Sequence, residues 1–145
     1  MGGSFALALK RAALVKRVVG YSKSSATGER ARQMGVIDAI ASSAAAAVAG
    51  ADLVLIAVPV AATEATFQAI AHLVTPQTLL MDVGSTKRDV IAAGRRALGP
   101  QLGSFVPTHP IAGREVWGIE HAQADLYDGA KVILTPIDST RVQQL

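Results

Sequence analysis

Short apolar runs alternate along this chain with segments whose apolar residues recur at helical spacing. The clearest run lies within residues 52–59 and ends at Pro59. A continuous apolar run of this length is typical of a strand that is buried on both faces of a parallel sheet. Strands and helices in alternation predict an α/β fold, here a Rossmann-like doubly wound sheet whose strands are mostly parallel.

The same periodicities, together with start and stop residues, give the remaining elements. We predict strands at residues 17–21, 36–40, 52–59, 78–83, 104–108 and 131–136. We predict helices at residues 4–14, 24–34, 42–48, 61–73 and 87–98, and another that Asp138 or Ser139 caps. Ser24 or Ser25 is expected to cap the second helix, and Gly35 to end it in a left-handed conformation.

The composition narrows the possible classes of function. Hydrophobic residues make up 50% of the 145 and charged residues 17%, which is enough apolar material for one folded domain. The chain has no Cys, so disulfides, thiolate metal sites and Cys nucleophiles are excluded. Its three His residues lack the spacing of metal ligands, and no apolar segment is long enough to cross a membrane. We therefore expect a cytoplasmic protein with no metal and no membrane partner.

The formal net charge of +3 is modest, and the basic residues are scattered in pairs with no aromatic stacking platform beside them. This distribution does not favour a nucleic-acid partner. A mildly basic domain suits a phosphate-bearing cofactor and an acidic small-molecule substrate.

Two polar motifs stand at the ends of neighbouring predicted strands. Residues 82–87 read Asp-Val-Gly-Ser-Thr-Lys, and residues 109–115 read His-Pro-Ile-Ala-Gly-Arg-Glu. Because ligands bind at the carboxyl ends of the strands in such sheets, Ser85 and His109 are expected to meet across one crevice. A Ser–His pair there suits proton removal from a substrate hydroxyl while a neighbouring cofactor takes the hydride.

These residues also have purely structural interpretations, which remain open at this point. His109 would be a polar loop residue held by its neighbour Pro110, and Ser85 would be the N-cap of the helix that begins near Lys87. Lys87 faces either a cofactor or substrate carboxylate or simply solvent. Asp82 would cap backbone amides of the turn that follows it.

Two glycines at the start of the chain resemble part of a cofactor-binding fingerprint. A dinucleotide fold opens with a strand, the pattern G-x-G-x-x-G and a helix. We interpret Gly2, followed by Gly3, as the third glycine of that pattern, which leaves the first strand outside residues 1–145. That strand lies centrally in the sheet, so strands 17–21 and 52–59 are each expected to have an unpaired edge that favours association. A flexible chain start would give the same two glycines.

The two motifs and the glycines together resemble the nucleotide-binding domain of the prephenate dehydrogenase family, which includes arogenate and cyclohexadienyl dehydrogenases. The similarity covers nearly the whole chain. The segments that carry it are residues 2–4, 19–22, 35–38, 51–54, 58–59, 82–87, 109–115 and 133–136.

The resemblance implies that residues 1–145 form an incomplete NAD(P)-binding domain. In the family a second, helical domain follows about residues 135–136, makes the homodimer and supplies an Arg for the substrate carboxylate. This dimerisation domain is absent from residues 1–145, so a homodimer is expected only of a full-length protein. The implied reaction is the NAD(P)-linked oxidative decarboxylation of prephenate or arogenate in tyrosine biosynthesis.

Family likeness also implies roles for single residues. His109 is expected to bind the 4-hydroxyl of the substrate and act as the base, while Ser85 orients that hydroxyl, His109 and the nicotinamide. Glu115 is similar to a family acid near the substrate. Independently of the family likeness, we expect Lys87 close to the substrate as well. Arg114 departs from the small hydroxyl residue that the family pattern has there.

The cofactor prediction depends on the end of the strand predicted at residues 17–21, which corresponds to the second strand of a dinucleotide fold. NAD enzymes usually place an acidic residue there to bind the ribose hydroxyls, whereas this chain has Ser22 and Lys23. We therefore expect NADP or NAD, with NADP favoured because Lys23 pairs with a 2′-phosphate; a solvated Lys23 would leave NAD. Val58 and Pro59 are expected to run beneath a cofactor ribose through backbone contacts.

Two other functions fit the same residues. One is a catalytically inert, truncated module that binds a dinucleotide without turning over a substrate. The other is a different Rossmann-fold reductase, acting on imines or β-hydroxy acids. Such reductases usually place a Lys and an Asn on the following helix and have no His-Pro-Ile-Ala-Gly segment like that of residues 109–113.

Overall fold

Strands and helices alternate in a computed structural model, which describes residues 1–113, 116 and 118–145. The α-helices are α1 (Gly2–Arg11), α2 (Ser25–Gln33), α3 (Ala44–Val48), α4 (Thr63–Ile70) and α5 (Lys87–Ala97). The strands are β1 (Val19–Gly20), β2 (Ala39–Ile40), β3 (Leu53–Ile56), β4 (Leu79–Asp82), β5 (Phe105–Val106), β6 (Thr108–Ile111) and β7 (Lys131–Leu134). Short 3₁₀ helices cover Val60–Ala62, Ala71–Leu73, Gly99–Ser104, Ile119–His121 and Val142–Gln144.

The chain divides into two compact units. The first unit comprises Met1–Ala47 and Pro110–Lys131, and the second comprises Val48–His109 and Val132–Leu145. Strands β6 and β7 pair with each other, and the division falls within both.

The first unit is built on the parallel pair β1 and β2, in which Gly20 lies opposite Ile40. Its buried core consists of Ala31, Val36 and Ile37, with partly buried apolar side chains of α1 packed against it. Gly20 has no room for a side chain, since an added Cβ would lie 2.9 Å from the side chain of Ile37. Close packing of the strand on the core therefore fixes glycine at this position.

The second unit is built on a three-stranded parallel sheet in the order β3–β4–β5. Leu80 in the central strand lies opposite Val54 on one side and Phe105 on the other. The rings of Phe67 and Phe105 meet edge to face with their centres 5.1 Å apart, and both side chains are fully buried. The apolar core of this unit thus lies between α4 and the sheet.

Most predicted elements are present, within a few residues of the expected bounds. Ser24 caps α2 by accepting from the backbone N–H of Thr27, and Gly35 follows that helix with φ +70°, as predicted. The Rossmann-like class is confirmed, because β1 pairs with β2, β3 with β4, and β4 with β5, all in parallel. Within the described part of the chain, β1 has only β2 as a sheet partner and β3 has only β4.

The predicted strand at residues 104–108 is wrong in its extent. Pro107 has no backbone N–H to donate to a sheet, so the ladder stops at Val106 and a separate strand, β6, begins at Thr108. His109 therefore lies in β6, whereas the sequence places it just after a strand.

The helix predicted to start at Asp138 or Ser139 does not form. The backbone N–H of Arg141 donates to the Gly103 carbonyl at 2.8 Å, and the Thr140 hydroxyl donates to the Phe105 carbonyl at 3.1 Å. These tertiary bonds hold the segment in a turn followed by one 3₁₀ turn, because the groups that would continue a helix are used elsewhere.

Across the described residues, no helix is long and apolar enough to cross a membrane.

Candidate functional site

A buried carboxylate at the carboxyl end of β4 organises the first motif. Asp82 is 2% exposed, and its Oδ2 accepts from the backbone N–H of Gly84 at 2.8 Å. Its Oδ1 accepts from the backbone N–H of Thr108 at 3.0 Å, and its Oδ2 is also bonded to the Lys87 ammonium. A carboxylate so buried is stable only when it is paired and hydrogen-bonded, and here both carboxylate oxygens accept hydrogen bonds. The interpretation of Asp82 as a cap for the following turn is correct.

The same carboxylate joins the two motifs to each other. The Thr108 hydroxyl donates to the Asp82 carbonyl, so side chain and main chain of Asp82 both hold the start of β6. Ser85 lies three residues after Asp82, and His109 directly follows Thr108. The segments that carry Ser85 and His109 are therefore tied together at the carboxyl ends of the neighbouring strands β4 and β5. Ser85 is exposed there, and His109 is half-buried.

Lys87, the first residue of α5, is bonded on two sides. Its Nζ forms an ion pair with Asp82 and donates to the Thr108 carbonyl at 2.6 Å, and its side chain is 14% exposed. Burial lowers the pKa of Lys87 from its ordinary value, and the bond to Asp82 opposes part of that shift. The interpretation of Lys87 as simply solvated is wrong, and its predicted closeness to a substrate stays a prediction.

Gly84 and the start of α5 bear on the predicted role of Ser85 as an N-cap. A Cβ at Gly84 would lie 3.0 Å from Asp82 Oδ2 and 3.0 Å from Val90 Cγ2, so the turn leaves little space for a side chain. Thr86 occupies the N-cap position of α5, and no side chain caps that helix. The alternative role of Ser85 as the N-cap is therefore wrong, and its hydroxyl is exposed.

Some of the predicted cofactor residues belong to the first unit and others to the second. In the second unit, Val58 and Pro59 are exposed just after β3, as contacts with a ligand require. In the first unit, Gly2 and Gly3 form the first turn of α1. A Cβ at Gly3 would lie only 2.6 Å from Ile119 Cδ1, so a side chain there would require Ile119 to shift.

Two further predicted residues stand between β1 and α2, in the first unit. The Ser22 hydroxyl accepts from the backbone N–H of Ser24 at 3.2 Å, which shapes the turn before the helix. Lys23 is exposed. Glu115, Arg114 and Trp117 lie outside the described residues, so the predicted role of Glu115 stays a prediction.

Sequence reasoning missed Thr108, which holds Asp82 through both its backbone N–H and its hydroxyl. A signal was available, because a buried polar residue that ends an apolar run directly before His109 needs a partner. Its partner lies 26 residues away along the chain, and no local pattern identifies it.

These features define a class of protein. A parallel sheet carries polar motifs at the carboxyl ends of β4 and β5, and α1 begins with two glycines. This combination is typical of a Rossmann-like nucleotide-binding domain.

Comparison with known proteins identifies the family. Residues 5–145 match the family model described as prephenate dehydrogenase, nucleotide-binding domain. The chain belongs to this family.

Two curated relatives carry names that agree with this family. The chain is 38% identical over 149 residues to prephenate dehydrogenase of Bacillus subtilis (strain 168), covering 100% of this chain and 40% of the relative. It is 34% identical over 145 residues to cyclohexadienyl dehydrogenase of Zymomonas mobilis, covering 100% of this chain and 49% of the relative. The chain therefore spans about half the length, or less, of these curated relatives.

Solved structures agree with this assignment. Prephenate dehydrogenase from Aquifex aeolicus superposes with a TM-score of 0.90 at 32% identity, over 99% of this chain and 51% of that one. The same enzyme in complex with hydroxyphenyl propionate and NAD⁺ gives a TM-score of 0.89 at 32% identity, over 99% and 50%. Arogenate dehydrogenase from Synechocystis gives 0.83 at 25% identity, over 98% and 49%. The relatives are dehydrogenases, so the chain derives from an oxidoreductase family.

Proposed function

We propose that this chain is the nucleotide-binding part of a cytoplasmic NAD(P)-dependent dehydrogenase that oxidatively decarboxylates prephenate or arogenate. Membership of the prephenate dehydrogenase family supports the reaction class, and the names of the relatives support the two substrates. The chain spans only about half of its curated relatives, so the proposal assigns it the cofactor and the proton-transfer residues. The rest of the substrate pocket and the homodimer are proposed for a longer protein.

The residues present fit a dinucleotide. Gly2 and Gly3 begin α1 without side chains, and the backbone N–H groups at a helix start suit a phosphate. Val58 and Pro59 offer exposed backbone after β3 for a ribose. Ser22 and Lys23 stand where an acidic residue would favour NAD, so we propose NADP as the preferred cofactor.

The proposed chemistry divides the work between cofactor and protein. When bound, the oxidised nicotinamide supplies the acceptor for the hydride that leaves the substrate ring. His109 takes the proton of the substrate 4-hydroxyl, and Ser85 orients that hydroxyl and the imidazole. The ring carboxylate leaves as carbon dioxide, and the aromatic ring that forms supplies the driving force.

One observation carries this proposal. Asp82 and Thr108 bond to each other through side chains and main chain, and so hold the Ser85 turn beside the strand that bears His109. Holding two reacting groups in position before the reaction lowers the entropic part of the barrier. Orientation of cofactor and substrate is what a protein supplies to a hydride transfer.

The test compares two histidines of the chain. Cofactor binding by the chain is titrated with NADPH and NADH by fluorescence, and turnover with NADP⁺ or NAD⁺ plus prephenate or arogenate is measured in a longer protein that contains this chain and the rest of the substrate pocket. His109→Asn should lower turnover by about 10²–10⁴-fold, the usual contribution of a general base, with the cofactor Kd unchanged. His72→Asn is the matched control, since His72 is exposed on the 3₁₀ turn after α4. Unchanged turnover in His109→Asn would remove this residue from the mechanism.

A second candidate is nucleotide binding without catalysis, which the short span of the chain relative to its relatives favours. Cofactor binding with no turnover of either substrate, in a longer protein that contains this chain, would support it. A chain that binds neither NADPH nor NADH would contradict both candidates.

A further inference from the structure

We infer that Lys87 and Asp82 form a positioning pair, which holds the Ser85 turn and the His109 strand in one arrangement, and that Lys87 does not bind a substrate carboxylate. The assignment of catalytic roles to Ser85 and His109 rests on the function proposed above. The pair itself rests on hydrogen bonds within the second unit.

The first step is the connection that Lys87 makes. It starts α5, directly after the turn that contains Ser85, and its ammonium donates to the carbonyl of Thr108 at 2.6 Å. The next peptide unit belongs to His109. Lys87 thus spans from the segment of one proposed catalytic residue to the segment of the other, 21 positions further along the chain.

The second step is that Asp82 closes this connection into a ring of bonds. Its carboxylate pairs with Lys87 and accepts from the backbone of Gly84 on one side and of Thr108 on the other. Loss of any one member leaves a buried donor or acceptor without its partner, which is costly in a site so little exposed. The arrangement is therefore expected to respond as a unit.

The third step concerns the hydrogen-bond donors that Lys87 retains for a ligand. A lysine ammonium has three N–H donors, and two of them are used on Asp82 and Thr108. Its charge is already paired with a carboxylate, and its side chain is only 14% exposed. A second carboxylate would have to compete with Asp82, which is fixed by two backbone N–H groups.

The test follows His109 and Ser85 by NMR in the ligand-free chain. We expect Lys87→Met to shift both the imidazole signals of His109 and the backbone amide signal of Ser85. Arg88→Met is the matched control, because Arg88 is the next residue of α5 and is exposed. It should leave the His109 signals in place. Unmoved His109 signals in a folded Lys87→Met chain would overturn the inference.

A second variant keeps the test decisive if Lys87→Met does not fold. Thr108→Val removes the hydroxyl bond to the Asp82 carbonyl and nearly keeps the side-chain shape. We expect it to shift the same Ser85 signal, which lies across the bond network from the substitution. Shifts confined to residues next to position 108 would contradict the inference.

Kinetics separate positioning from substrate binding. In a protein that contains this chain and turns over substrate, Lys87→Met should lower kcat by about 10- to 100-fold, because the two proposed catalytic groups lose their alignment. KM should change little. A raised KM with kcat preserved would assign Lys87 to the substrate carboxylate and contradict the inference. The NMR result does not depend on activity, so it stands or falls separately from the proposed dehydrogenase function.

Discussion

At the scale of single residues, the polar groups of the motif are not interchangeable, because each has a distinct partner. Asp82 accepts from two backbone N–H groups and from Lys87, and Thr108 donates to Asp82 from both its backbone N–H and its hydroxyl. Among the described residues, no buried side-chain nitrogen or oxygen lacks a hydrogen-bond partner. Satisfied buried networks of this kind fix one local arrangement.

The cofactor preference is a residue-scale prediction that turns on Lys23. Lys23→Glu should raise the Kd for NADPH by about tenfold or more, because a carboxylate repels the 2′-phosphate, and should leave the Kd for NADH within about threefold. Lys16→Glu, which makes the same charge change at another exposed position of the first unit, is the control. Equal effects of Lys23→Glu on both cofactors would mean that Lys23 does not contact the phosphate.

Tyr127 gives a prediction for alkaline pH. Its hydroxyl donates to the Met1 carbonyl at 3.1 Å, and burial raises the pKa of Tyr127 from 10.0 to about 12. The folded state therefore favours the neutral phenol, and the resulting stabilisation is complete below pH 10 and is lost as the pH rises through about 12.

Urea unfolding of wild type and Tyr127→Phe measures this effect. Below pH 10 the wild type should be more stable by about 1 kcal/mol, the usual contribution of one hydrogen bond. The difference in free energy of unfolding should shrink between pH 10 and pH 12, since only the wild type has a phenol to ionise. A difference that stays constant across this range would contradict the prediction.

At the scale of elements, helices α4 and α5 secure the sheet that carries the motif. Phe67 from α4 contacts Phe105 of β5, and Val90 from α5 is also buried. A Cβ at Gly94 would lie 3.2 Å from the Phe105 ring, so α5 approaches β5 closely at this point. This packing holds β5 beside β4, and with it the two motif segments.

Phe67→Ala tests this packing. Because Phe67 is 0% exposed, its loss should lower the free energy of unfolding by about 3–5 kcal/mol, the usual cost of truncating a buried Phe. Phe5→Ala is the control, since Phe5 in α1 is only half-buried beside Tyr127. Denaturant titration measures both, and equal costs would mean that the ring pair does not dominate the core of the second unit.

At the scale of the whole molecule, the sheet edges and exposed apolar strand residues lead to a prediction about behaviour in solution. Within the described residues, β1 pairs only with β2, and β3 pairs only with β4. Strand β7 has three exposed apolar residues in succession: Val132 at 46%, Ile133 at 51% and Leu134 at 46%. Exposed edges and apolar strands pair readily with other chains.

We therefore expect the 145-residue chain to be marginally stable and to associate as its concentration rises. Sedimentation velocity at several concentrations and thermal unfolding followed by light scattering measure this directly. Ile133→Lys should reduce association, because a charge on an exposed strand opposes pairing. A sharp, reversible two-state melt from a soluble monomer would contradict the expectation.

The sequence alone determined the class of fold, the order of its elements and the two motifs. Those features depend on local properties: apolar periodicity, the cap at Ser24 and the left-handed Gly35. It also predicted that Ser85 and His109 share one edge of the sheet, since parallel strands bring their carboxyl ends together. The segments that carry them are indeed tied there, while their catalytic roles stay predictions.

Only the tertiary structure decided how those segments are held. Thr140 and Arg141 use their polar groups on Phe105 and Gly103, which replaces the helix that local pattern predicts after position 138. Lys87 resembles a solvated first-turn lysine in sequence, yet its ammonium donates to the Thr108 carbonyl, 21 positions along the chain, and pairs with Asp82. The physical reason is the same in both places: buried polar groups are satisfied by partners far along the chain, and local sequence does not specify which partner comes within reach.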